Sequence, residues 1–471
     1  MISIERLLNP KSILLFDIKD ASLLRFEKSN SSPVPPTLIF NGGQHMNIQG
    51  AHNKEEKDAS SPDIAFINAE NPKTGEYIHK SIEQGIPFVF LIGNTKNQLL
   101  SSIEIKKLIE NPKSINESIL IGPFSSGYLN AYSGFVSGPY FPQDYFGDEN
   151  GKLAVIIKNL KLNRDKMDFL LKKIHSPAVI IDLGYQPLSS NLDTYFIESF
   201  SSMQKIKTVL LIGDSYSDFV YRISSVRNFE NKKPLVLFKE PLERYGFEFL
   251  NDSPSFQHGS QKKKIKSVER LFPIIKAGSI EDVEEFTETL NLFDAVNNSS
   301  VYIITDKPGA GTVTSDYITS DRISPRLPLA MISKKACDTM AKELKSNIFR
   351  ANPVSLKASY TFKQCRRLIE IALNDVLINI IIIILRENSV NLKDALISIV
   401  KEQDVRKPVF IILPNEKMRE NEFGFLPKHN VMAFNSIKKA AIAVKNEVIY
   451  SQPGKIVIST KATGGLKYEF I

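Results

Sequence analysis

An α/β fold in three domains, each a parallel sheet layered between helices, is what the sequence predicts. Three observations lead there. Short β-branched runs alternate with amphipathic helical stretches along the chain. The strand candidates are apolar throughout, as strands buried on both faces are. A length of 471 residues suggests about three domains. With 42% hydrophobic and 24% charged residues the chain can bury real cores, which excludes wholesale disorder.

In the first unit, 1–148, strands are expected at Ser12–Phe16, Thr37–Phe40, Ile64–Ile67, Phe88–Ile92 and Ile119–Ile121. Between the third and fourth, Gly75–Gln84 carries a helical pattern that stops at Gly85, the grammar of a βαβ unit. Ser133–Asn150 is rich in Gly, Pro and Tyr and has no period, so it is read as a linker.

The second unit, 149–298, offers strand Leu153–Ile157, helix Arg164–Ile174, strand Ala178–Asp182, helix Leu192–Phe200, and strands Thr208–Ile212 and Pro234–Phe238. A polar loop over Asp252–Lys266 and helix Glu281–Asn291 follow, and Asp294–Ser300 reads as the next linker.

The third unit, 299–471, opens with strand Val301–Thr305. Helices are expected near Ser333–Glu343, Phe362–Asn374, Leu392–Lys401 and Ile437–Val444. Strands are expected at Val376–Leu385, Pro408–Leu413 and Val431–Ala433. The tail from Ser451 shows no clear pattern. One strand–helix rhythm runs through all three units, which makes the expected fold Rossmann- or flavodoxin-like with parallel sheets.

Sixty Lys and Arg face 52 Asp and Glu, a formal charge of +8. The excess is spread, apart from Lys262-Lys263-Lys264, and reads as solvated surface rather than a nucleic-acid footprint. Cys337 and Cys365 are too few for a disulfide framework, which points to a reducing compartment. Glu5 and Arg6 interrupt the first apolar stretch, so no signal peptide is read there. The apolar run Val376–Leu385 is too short to span a bilayer. A cytoplasmic protein without membrane, nucleic-acid or metal partners is expected.

Several segments resemble one family in order and spacing. Asn9-Pro10-Lys11-Ser12 is similar to its N-P-K-S before the first strand. Gly122-Pro123 with Gly127 and Asn130 resembles G-P-N-C-L-G-x-x-N. Lys233-Pro234 and Lys239 resemble K-P-V-V-V-L-K. Thr305 with Gly309 and Gly311 resembles V-T-N-A-G-G-P-G, and Asn352-Pro353-Val354 resembles N-P-V-D. The family is that of ADP-forming acyl-CoA synthetases, relatives of succinyl-CoA synthetase. The resemblance runs at low identity from about Leu7 to Tyr450.

It implies a CoA-binding Rossmann domain followed by two flavodoxin-like ligase domains, with CoA and ATP or ADP as cofactors if the chain is active. No stretch is left over for the family's ATP-grasp domain. The resemblance therefore implies an α-type chain with a β-type ATP-grasp partner, in a homo- or hetero-oligomer.

The residues at the family's working positions depart from its pattern. Asp17 stands where the first strand turns on Gly, and its carboxylate would repel a pyrophosphate. Gly42-Gly43 is a weak substitute. Phe124 and Ser125 replace the Asn and Cys of the loop that Gly122 and Gly127 frame. Lys158–Asn163 replaces the phosphate-facing Q-S-G-A-L-G, leaving Lys158 and Lys161 as point charges for an anion or as surface lysines. Counted from either side, the catalytic histidine falls on Ser253 or Pro254.

The nearest imidazole is His258, either a displaced phospho-acceptor or a solvated loop histidine. Asp214 falls where the family's orienting Glu sits, and otherwise reads as a helix cap. The loop Asp306–Gly311 follows a strand and opens toward a helix, so its N–H groups are candidates for an anion or for simple strand-to-helix closure.

Glycine is short, 23 in 471 residues against a usual ~7%. Three readings result: a catalytically silent homologue with a structural or regulatory role, an active ligase subunit that uses His258 and Asp214, and an acyl or small-molecule binding module on the same scaffold.

Overall fold

A computed structural model gives the architecture. It describes residues 3–16, 18, 24–26, 37–41, 52–55, 62–93, 118–138, 140–142, 145, 147–158, 164–174, 177–184, 192–213, 233–239, 274–293, 296, 298–307, 309–320, 325–344, 351–357, 359–402, 405–415, 423, 429–451, 456–459 and 467–470. These fall into two compact units, Met1–Thr287 and Glu288–Ile471.

The first unit begins with a short helix α1 (Glu5–Leu8), β1 (Ser12–Phe16), β2 (Leu24–Phe26), β3 (Thr37–Asn41), β4 (His52–Glu55) and β5 (Ile64–Asn68). Helix α2 (Thr74–Glu83), β6 (Phe88–Ile92), β7 (Ile119–Ser125), β8 (Tyr128–Asn130) and β9 (Phe135–Ser137) follow. Six of these strands form a parallel sheet in the order β4-β3-β1-β5-β6-β7. Renumbered within the sheet, that is the 3-2-1-4-5-6 order of a Rossmann fold, with its switch point between β1 and β5. Helix α2 lays Ile78 and Ile82 on one face, against Leu14, Phe16, Ile67 and Val89.

The unit continues with β10 (Leu153–Lys158), α3 (Arg164–Lys173), β11 (Pro177–Asp182), α4 (Leu192–Ser202), β12 (Thr208–Gly213), β13 (Leu235–Lys239), β14 (Ile274–Ala277) and α5 (Ile280–Leu292), the last of which crosses into the second unit. The sheet runs β14-β13-β12-β10-β11-β8-β9-β2. Its first five strands are parallel in a flavodoxin-like order, with the switch point between β10 and β12. Beyond β11 the strands β8, β9 and β2 add on antiparallel.

These three strands revise the expectation. Phe135–Ser137 lies inside the stretch read as a linker, and it pairs on both sides. The two sheets of this unit share one core, in which Phe66 and Phe90 of the first meet Tyr128 and Phe135 of the second. Tyr128 donates its hydroxyl to the Leu7 carbonyl and Asn130 its amide to that of Leu8, so the added strands tie the two sheets together.

The second unit holds β15 (Val301–Thr305), α6 (Ala310–Thr319), α7 (Lys334–Leu344), β16 (Val354–Ser355), α8 (Phe362–Asn374), β17 (Ile380–Ile384), α9 (Val390–Glu402), β18 (Val409–Ile412), β19 (Val431–Phe434) and α10 (Ile437–Ser451). A two-stranded antiparallel hairpin follows in the tail, β20 (Ile456–Ser459) with β21 (Lys467–Phe470), where no element was expected. The five-stranded sheet runs β16-β15-β17-β18-β19, all parallel. This is again a flavodoxin-like order, and its switch point lies between β15 and β17.

The isoleucine run explains itself here. Side chains alternate across a strand, so Ile381 and Ile383 enter the core under α8 and α9 while Ile380, Ile382 and Ile384 enter the core under α6 and α10. The strand is shorter than the expected Val376–Leu385. Asp375 accepts the Leu377 N–H in a turn, which leaves Val376 and Leu377 exposed ahead of it.

Candidate functional site

In open α/β sheets ligands bind outside the C-terminal strand ends at a switch point. At the first such point Asp17 and Gly42-Gly43 lie outside the described residues, as do Asp214, Ser253, Pro254 and His258. The described strand ends are those of β7, β10 and β11 in the first unit and, separately, those of β15 and β17 in the second.

At the second switch point Lys158 ends β10 in register with Gly213 of β12. Its Nζ lies 2.6 Å from the Asp193 carboxylate in the first turn of α4, and that carboxylate is fully buried. The ammonium, one of two point charges expected to attract an anion, is thus committed to an internal pair. Lys161 lies outside the described residues.

The last residues of β7, Gly122–Ser125, continue into Ser126 and Gly127, and this bulged segment packs against the loop after β11. Gly127 has a φ of +103°, and a Cβ there would stand 1.9 Å from the Ser137 carbonyl. Gly122 is pressed the same way against the Leu91 carbonyl, and Gly184 against that of Pro123.

Three of this segment's backbone N–H groups are taken, while the buried Ser126 hydroxyl has no hydrogen-bond partner among the described residues. Gly122 N–H donates to the Leu183 carbonyl. Gly127 N–H donates to Ser125 Oγ at 3.0 Å, and Ser125 Oγ donates to the Asp182 carbonyl at 2.5 Å. Ser126 N–H and Gly184 N–H both donate to the Asp182 carboxylate, at 2.5 and 3.0 Å. Burial pushes the Asp182 carboxyl up to about 6, and the bonds from Ser126 and Gly184 pull it back only in part. Gly122 and Gly127 were read as cofactor-binding positions; each has its N–H donating within the chain and its Cα packed against a neighbouring carbonyl. Asp182 was missed in the sequence because nothing local marks it. Its role comes from a loop more than fifty residues away.

The third switch point is different. Gly309 caps α6 at a φ of +75° with open space where a Cβ would be, and no side chain caps this helix. At Gly311 a Cβ would stand 2.8 Å from the Pro353 side chain. Asp306, after β15, accepts the Arg386 backbone N–H at 3.0 Å, and the Arg386 side chain, after β17, lies 3.5 Å from its other oxygen.

Between these loops lies a cleft of about 100 Å³. Arg386, Ser389 and Asn391 line it on one side, with Lys357 and Tyr360 on the other. Asn391 clips the rim by donating to the Tyr360 carbonyl. Ser389 is buried at the start of α9, and its hydroxyl has no hydrogen-bond partner among the described residues. Cys365, also on the wall, is held as a thiol, since burial pushes it up to about 11. The start of α9 with an idle hydroxyl is a place for a small anion, although the Asp306 carboxylate also lines the cleft and pairs with Arg386. Sequence reading marked Asp306–Gly311 but not Arg386 or Ser389.

Among the described residues no helix is long and apolar enough to cross a membrane. Compared by sequence, the chain matches no family model and no curated protein. Solved structures do match. The apo form of the dinucleotide-forming acetyl-coenzyme A synthetase 1 of Ca. Korarchaeum cryptofilum superposes with a TM-score of 0.73 at 17% identity, covering 95% of this chain and 97% of that one. The same synthetase with phosphate and ADP gives 0.70 at 16% identity, over 96% and 97%. PH0766 of Pyrococcus horikoshii OT3 gives 0.66 at 18% identity, over 95% and 99%. The chain has the acyl-CoA synthetase fold across nearly its whole length, the fold that the resemblance in sequence implied.

Proposed function

We propose that the chain is an α-type, acyl-CoA synthetase-like subunit that does not carry out phosphohistidine transfer and acts as a structural or regulatory partner of a β-type ATP-grasp chain. The observation that carries this is the Lys158–Asp193 pair. Where the family presents a glycine loop to phosphate, this chain presents a lysine already neutralised by a buried carboxylate. The backbone N–H groups of Gly122, Ser126 and Gly127, each already donating within the chain, point the same way. Nothing in the described turn would hold CoA, so no catalytic step is derived through it.

A second reading is favoured by the cleft at Arg386 and Ser389. One of the solved synthetases is described in complex with phosphate and ADP, and a helix start with an unpartnered hydroxyl is a fit place for such a group. On this reading the chain is a small-anion binding module. The active-ligase alternative needs His258 as phospho-acceptor beside Asp214.

One preparation tests all three. The chain is incubated with a β-type partner and γ-labelled ATP, and acid-labile phosphate is measured. We expect none. Label that His258→Ala removes would overturn the proposal in favour of the active ligase. Calorimetry of the same protein with inorganic phosphate decides for the binding module if heat appears and Ser389→Ala abolishes it.

A further inference from the structure

Asp375 organises one end of the second unit. It is buried, and its two carboxylate oxygens accept the Ser333 and Leu377 N–H groups, each at 2.9 Å. Its carbonyl accepts from Lys407 Nζ at 2.5 Å, and the same ammonium donates to the Ala372 carbonyl at 3.1 Å. The segments leading into α7, β17 and β18 are thereby tied together at the N-terminal edge of the sheet. The cleft at Arg386 lies at the opposite edge, after the strands.

The tie decides what faces water. Val376 is 82% exposed and Met331 79%, the two highest values among the exposed large apolar side chains described, and Leu377 is 47% exposed. A lone apolar side chain on a surface is ordinary, but three on turns joined through one carboxylate make a patch. Lys334, Lys335 and Arg406 stand exposed next to these turns in the chain. Apolar tips among cations match a surface that is apolar beneath and anionic on top.

We propose that this edge docks the chain on an anionic lipid bilayer. Met331, Val376 and Leu377 enter the boundary between headgroups and acyl chains, and the three cations meet the headgroups. The apolar side chains stand on turns instead of lining a groove, which suits a soft bilayer better than a partner helix. Asp375 holds the turns in place beforehand, so docking has little chain left to order. Such an edge lies on a bilayer without crossing it and needs no apolar run of spanning length. The inference is independent of the phosphohistidine question and of the cleft.

The test is co-sedimentation of the full chain with vesicles of phosphatidylcholine containing about 30% phosphatidylserine. The chain should bind them, should bind pure phosphatidylcholine vesicles far more weakly, and should be released by high salt. Val376→Asp should weaken binding by about tenfold or more. Because Val376 is exposed, its melting temperature should match the wild type. Met331→Ser is a second variant on a separate turn, and it decides if Val376→Asp does not fold. Phe169→Ser removes an exposed ring on α3 of the first unit and should leave binding unchanged. No binding to the anionic vesicles, or binding that both edge variants retain in full, overturns the proposal. Retention on immobilised polyglutamate without any on vesicles overturns it in favour of an acidic protein.

Discussion

Gly127 shows what single residues contribute here. Its φ of +103° lies in the region that side chains rarely enter, and the Ser137 carbonyl occupies the position of a Cβ. Gly127→Ala therefore meets strain of ~1–3 kcal/mol and overpacking of similar size. We expect it to lower unfolding free energy by about 3 kcal/mol or more in urea titration. A loss under about 1 kcal/mol would mean the joint relaxes freely. Sequence reading singled out Gly127 as a turn glycine but not its crowding, because the Ser137 strand that supplies it was read as linker. Lys158 is the parallel case. Its charge was legible, whereas its partner Asp193 lies thirty-five residues on and meets it only once β10 and α4 are packed.

Among the elements, those with a strong period were legible and the short edge strands were not. Helix α8 spans the expected Phe362–Asn374 because its start is written locally. Thr361 accepts the Gln364 N–H while the Gln364 side chain accepts the Thr361 N–H, a capping box. Thr361→Ala should cost about 1 kcal/mol, read by denaturant unfolding. Thr361→Ser should recover most of it, and equal losses for both would show that the cap is idle.

Strands β2, β8 and β9 have three residues each, too few for alternation to register, and they owe their pairing to the antiparallel edge of β11. Helix α6 went unassigned beyond its opening loop. Its sequence, AGTVTSDYIT, is rich in residues that compete with helical hydrogen bonding, so packing against α10 and β15 must decide it.

For the whole molecule, the three parallel-stranded sheets repeat one device, a switch point flanked by loops, and at the third a buried hydroxyl, that of Ser389, has no hydrogen-bond partner among the described residues. We propose that the chain assembles with itself or with an acidic β-type partner, toward which its net charge of +8 would assist encounter. Light scattering should then give a mass above the 53.0 kDa of one chain, and affinity capture with a purified β-type ATP-grasp chain should retain it. A monomer in the first measurement together with no retention in the second would count against the proposal.

The strand and helix periods, the parallel character of the sheets and the order of motifs were written in the sequence, because burial on one or two faces leaves a periodic trace that needs no partner to be seen. Which groups the Gly122–Gly127 segment, Lys158 and Asp182 bond to was decided only by the tertiary structure. Their meaning rests on hydrogen bonds and ion pairs between segments thirty-five to fifty-seven residues apart. No local pattern records which donor a distant carboxylate will take.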